Sequence, residues 1–99
     1  MIYLVYLVIG ALLMNGLPHL IQGVSGNPFP TPFAQPPGRG KSPAWVNVLW
    51  GGINLLAGYA LLSYVGFFTL GLNLPTLSLV SGAMMNAIAL ALLFSKSHQ

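Results

Sequence analysis

The stretch Trp45–Val46–Asn47–Val48–Leu49–Trp50–Gly51–Gly52–Ile53–Asn54–Leu55–Leu56–Ala57–Gly58–Tyr59–Ala60–Leu61–Leu62 decides the fold. It is apolar and uncharged, and at about 1.5 Å per residue it is long enough to cross most of a bilayer core. Asn47, Gly51, Asn54 and Gly58 recur at spacings of four, three and four. That rhythm puts all of them on one helical face. The rest of the sequence supplies partners for that face.

Composition agrees with a lipid solvent. Of 99 residues, 56% are hydrophobic and 3% charged, and there is no Asp or Glu. A soluble domain carries about 25% charged residues, and this chain lacks the polar groups to cover itself in water. Its mean hydropathy is +0.80. The formal charge of +3 comes from Arg39, Lys41 and Lys96. The isoelectric point near 9.7 would raise nucleic acid as a partner, but so few cations are better explained as topology signals. With no cysteine, disulfides, thiolate nucleophiles and soft metal sites are excluded.

Three spans follow, within a single membrane domain over 1–99. The first, about 2–22, lacks a basic leader and a small-residue cleavage site, so it reads as a span rather than a signal peptide. Pro18 removes a backbone donor and predicts a kink or an early stop. Tyr3 and Tyr6 lie near its start, where amphipathic rings favour the headgroup level. Residues 23–43 form a loop punctuated by Pro28, Pro30, Pro32, Pro36, Pro37, Pro43 and several glycines, which excludes helix and sheet ladder across most of it. Polyproline II and turns remain. Phe29 and Phe33 are expected to dip into the interface or pack on helix ends.

The second span covers about 44–67, with Trp45 and Trp50 at its entry as an aromatic belt. The third covers about 74–95, its restart marked by Asn73 and by Pro75 in the first turn. Small residues recur along it, as Ser78, Gly82, Asn86 and as Ala83, Ala87, Ala91. Such lines let helix backbones approach closely in lipid. Three spans put Arg39, Lys41 and Lys96 on one side, and the positive-inside rule makes it cytoplasmic. The N-terminus then faces outward, and the loop and C-terminus face the cytoplasm.

Counting inward from the cytoplasmic ends, Asn15 lies about 10 Å deep, Asn54 about 15 Å and Asn86 about 13 Å. These amides form one expected layer, and His19 with Asn47 a shallower one. Polar groups in hydrocarbon need partners. The plain reading is therefore an amide clamp that sets helix register, with Gly51, Gly58 and Gly82 as points of close approach. The alternative is a small polar site for a solute or ion. His19 is either hydrogen-bonded beside the Pro18 kink or pH-sensitive, a metal ligand or an axial haem ligand. Arg39 and Lys41, in Gly38–Arg39–Gly40–Lys41–Ser42, superficially resemble the end of a phosphate-binding loop but lack its spacing and strand. They read as a topology anchor or as contacts to phospholipid headgroups.

An enzyme is hard to build from this inventory, because acids and thiols are absent and His19 has no visible catalytic partner. No cofactor is called for. An acidic-ring cation pore is excluded by composition. Two functions remain. One is a structural or accessory packing subunit, in a homo-oligomer or at the edge of a larger membrane complex. The other is a homo-oligomeric channel or carrier for a small neutral or anionic solute.

The runs Asn15–Gly16–Leu17–Pro18–His19, Pro28–Phe29–Pro30–Thr31–Pro32–Phe33–Ala34, Pro36–Pro37–Gly38 and Asn47–Val48–Leu49–Trp50–Gly51 resemble small bacterial integral membrane proteins of unassigned function. The resemblance covers about the first half of the chain. It implies a bacterial inner-membrane location and no activity, and it assigns no role to any residue.

Overall fold

The computed structural model describes residues 1–36, 40–66 and 68–97. It is all-helical but for one minimal ladder, with α1 Ile2–Val24, β1 Phe29–Pro30, β2 Lys41–Ser42, α2 Ala44–Val65 and α3 Leu74–Ser97. All three helices are long and apolar enough to cross a membrane, with mean hydropathies of 1.9, 1.5 and 2.0.

The ends of the helices follow local chemistry. Gly26 adopts φ +80°, its N–H bonds to Gly23 O, and Asn27 N–H reaches back to Gln22 O at 2.9 Å. This is the Schellman closure, which needs a residue at ease with positive φ. Gly66 at φ +77° ends α2 in the same conformation, its N–H on Leu62 O. Asn73 starts α3 by accepting the Thr76 N–H on its Oδ1 at 2.9 Å, as an N-cap does.

Pro18 does not stop α1, which continues to Val24. The polyproline expectation for the loop also needs correction. Phe29 pairs with Ser42 and Pro30 with Lys41 in an antiparallel ladder. It is only two residues long, and Pro30 can bring a carbonyl to it but no donor.

Helix α1 is the centre. Of its apolar window 28% is buried inside the protein, against 17% for α2 and 6% for α3. It packs on α2 along one face and α3 along another, whereas α2 and α3 scarcely touch. Gly16 and Gly51 meet face to face, each carbonyl oxygen 2.7 Å from where the other's Cβ would stand. Gly23 sits on Ala44 and Val48, and Gly58 on Leu13, so α2 runs antiparallel to α1. On the other side Gly10 rests on the backbone of Leu79 and Ala83, and Gly82 on that of Leu7, while further along His19 meets Phe94, so α3 runs parallel to α1. Tyr6 turns inward, 2% exposed, with its ring 5.7 Å from that of Phe68, while Tyr3 stays exposed.

These contacts separate the glycines into two kinds. A Cβ on Gly82 would collide with the Leu7 carbonyl, whereas one on Gly52 would meet no atom within 4 Å. Gly82→Leu should therefore destabilise the helix assembly by roughly 1–3 kcal/mol, the usual cost of overpacking. Gly52→Ala should change it by no more than about 1 kcal/mol, toward greater stability, through helix propensity. Reversible unfolding in mixed micelles measures both, and equal losses would contradict this packing.

Candidate functional site

The polar side chains gather where the α1–α2 interface meets the loop. Asn47 is fully buried, at 0% exposure. Its Nδ2 donates to the carbonyls of Phe29 at 3.1 Å, Ser42 at 3.0 Å and Pro43 at 3.2 Å. A carbonyl can only accept, so this side chain cannot flip. Its Oδ1 is held toward His19 Nδ1 at 2.9 Å. An amide oxygen also only accepts, so Nδ1 carries the hydrogen. In the neutral ring the lone pair then belongs to Nε2.

The same logic fixes the next level. Asn54 Nδ2 donates to Trp50 O, one turn earlier, at 2.8 Å. Its Oδ1 must therefore face Asn15, which donates through Nδ2 at 3.0 Å. The Oδ1 of Asn15 is left as an acceptor outside that bond. Asn15, Asn54, His19 and Asn47 thus form two stacked α1–α2 bridges. Asn86 does not join them, and its Oδ1 is buried without a partner among the described residues. The reason is architectural: α3 packs on α1 alone, so Asn86 does not reach Asn54. Gly51, Gly58 and Gly82 stand at the close approaches described above.

The loop folds over this corner as a strap. Thr31 and Ser42, both buried, share a hydroxyl–hydroxyl bond of 2.6 Å across the ladder. Phe29 stacks edge-on against His19 at 5.4 Å and Phe94 at 4.7 Å, and Phe33 packs edge-on against Trp50 at 5.4 Å. His19 is thereby enclosed by Phe29, Trp50 and Phe94. Lys41 projects to the exterior, and Arg39 lies outside the described residues, as does His98.

Beneath the strap lies a cavity of about 160 Å³, lined chiefly by Asn15, His19, Thr31, Trp50, Leu90 and Phe94. It exists because α2 and α3 flank α1 without closing on each other. Trp50, one of its walls, keeps its indole N–H buried with no acceptor among the described residues. Thr31, Trp50 and Phe94 as members of this corner were not foreseen from the sequence. The clue was available only for the loop, where Thr31 and Ser42 are small hydroxyl residues flanking its most proline- and glycine-rich part.

Compared with known proteins, the chain matches no family, no curated protein and no solved structure.

Asn47 should matter more than Asn54. Asn47→Leu strands the His19 N–H and the carbonyls of Phe29 and Ser42, at about 1–3 kcal/mol for each group left unsatisfied. Asn54→Leu removes one interhelical bond, worth about 0.6–2 kcal/mol in lipid. In mixed-micelle unfolding the first loss should exceed the second. Hydrogen exchange at the Thr31 and Ser42 amides should rise in Asn47→Leu and stay unchanged in Asn54→Leu. Unchanged exchange in both would mean that Asn47 does not hold the strap.

Proposed function

We propose that this chain is a small multi-pass membrane protein acting as a structural or accessory packing subunit, either in a homo-oligomer or at the edge of a larger membrane complex. The observation that carries the reading is where the amides go. Asn15, Asn47 and Asn54 are engaged within the chain, so the Asn47/Gly51/Asn54/Gly58 face is occupied by the protein's own α1. The exposed faces of α2 and α3 are chiefly apolar. Trp45, Leu49, Ile53, Leu56 and Tyr59 form an exposed stripe on α2, and Met84, Met85, Ile88 and Leu92 are exposed on α3. Such surfaces suit lipid or the helix of a neighbouring subunit, where association relies on van der Waals packing.

A homo-oligomeric channel has less support. Its wall would need unspent polar groups along a path through the membrane, and the deepest amide of α2, Asn54, uses both its oxygen and its nitrogen inside the chain. The proposed setting is a bacterial inner membrane with the N-terminus outside. Lys41, with Arg39 and Lys96, anchors the loop and C-terminus at the cytoplasmic headgroups.

Dilute reconstitution tests the reading. Fluorescently labelled protein in liposomes, counted by single-molecule photobleaching, should show self-association or fixed-ratio association with a co-purified membrane subunit. The same vesicles should show no flux of small neutral or anionic solutes above empty controls. Monomers that conduct solute would overturn the proposal. A reporter fused at Gln99 should be active in the cytoplasm, and an outward C-terminus would refute the orientation.

A further inference from the structure

The cavity under the strap has a polarity that the hydrogen-bond network dictates. Two of its lining residues present acceptors outside the bonds already described: His19 through Nε2, because Nδ1 donates to Asn47 Oδ1, and Asn15 through Oδ1, because its Nδ2 donates to Asn54. While the His19 ring is neutral, neither can exchange its acceptor for a donor without breaking a bridge anchored on a backbone carbonyl. A third lining residue, Trp50, keeps its indole N–H buried away from the open space. Apart from Thr31, whose hydroxyl is bonded to Ser42 Oγ, the remaining wall is apolar and aromatic, with Leu90, Leu93 and Phe94 of α3 closing one side.

We infer that this cavity binds a small uncharged molecule carrying a hydroxyl on a ring-sized apolar body, of the phenol class. A hydroxyl donates one hydrogen bond and accepts others. It can therefore donate to His19 Nε2 or Asn15 Oδ1 while its apolar body lies against the rest of the wall. A carbonyl compound without a hydroxyl finds no use for the two acceptors. A cation finds acceptors but no counter-charge, since the chain has no Asp or Glu, and an unpaired charge in this setting is costly. Size points the same way. A cavity of about 160 Å³ matches the roughly 150 Å³ apolar cavity that holds benzene in another protein. The edges of His19, Phe94 and Trp50 offer aromatic contact. Entry is sideways, through the crevice that α2 and α3 leave open, which suits a molecule arriving dissolved in lipid.

The full chain, labelled with ¹⁵N-histidine and reconstituted in nanodiscs, provides the test. Phenol is the probe and benzene its partner without the hydroxyl. The Nε2 resonance of His19 should move saturably with phenol, while His98 serves as the internal control. Benzene should bind about tenfold more weakly, the worth of one good hydrogen bond. Leu90→Phe, which fills the cavity, should abolish the phenol response. Leu92→Phe adds the same bulk on the exposed side of α3 and should leave it intact.

Equal binding of benzene would make the cavity a mere apolar void and overturn the proposal. A linear, unsaturable phenol response, or one that survives Leu90→Phe, would overturn it as membrane partitioning. No response at all would mean that water alone fills the space, which overturns it too. Should Leu90→Phe fail to fold, the comparison of phenol with benzene on the native chain still decides.

Discussion

Everything in this structure depends on how closely α1 lets two other backbones approach. In hydrocarbon, burying a leucine against another leucine gains little, because lipid is equally apolar. Helices that cross a membrane associate instead through dense backbone contact and through polar bonds with no competing water. Helix α1 meets that demand twice. Gly16 and Gly23 open one face to α2, and Gly10 opens another to α3. Its partners answer with Gly51 and Gly58 on one side and Gly82 on the other. Neither partner carries a second such face in use, which explains why α1 is central and why the crevice between α2 and α3 stays open. The Asn15–Asn54 and His19–Asn47 bridges then fix register, since sliding by one residue, about 1.5 Å, would break both at once.

The strap solves a second problem on the same residues. An irregular loop pressed onto a helix corner must satisfy its backbone carbonyls. The carbonyls of Phe29, Ser42 and Pro43 converge on the single amide nitrogen of Asn47. The loop's many prolines restrict the unfolded chain and so lower the entropy lost on ordering it. One buried side chain consequently ties the first helix, the second helix and the connection between them.

Much of this was legible in the sequence. Long uncharged apolar runs marked the spans. Asn73 and Pro75 marked the start of α3, because a side-chain acceptor and a ring-fixed φ are local requirements. The four–three–four stripe marked the packing face of α2. Identity of the neighbour was not legible, since a small-residue stripe fits any helix equally well, its own α1 or a stranger's. Depth counting placed Asn15, Asn54 and Asn86 at one level but carried no information about angle around the bundle axis. That is why the layer closes between two helices and leaves Asn86 aside. Of the kink or early stop that Pro18 predicts, the early stop does not occur, because the energetic loss of one bond in a helix of 23 residues is local. The ladder of the strap was invisible because it rests on tertiary contact with Asn47 and His19 rather than on strand propensity.

The bridges that hold register also determine what the interior can recognise. Asn54 must point its nitrogen at the Trp50 carbonyl, so Asn15 must show its nitrogen to Asn54 and its oxygen elsewhere. Asn47 must point its nitrogen at the strap, so His19 must give up its Nδ1 hydrogen to Asn47 and keep a lone pair on Nε2. Neither residue can be re-oriented by a guest for less than the cost of a buried bridge. An acid-free chain has no charge with which to select a ligand. It nonetheless has two acceptors of fixed direction lining one cavity, and these select for a guest that donates a hydrogen bond. Rigidity and selectivity here are thus the same constraint, and a substitution that loosens the amides should blur both together.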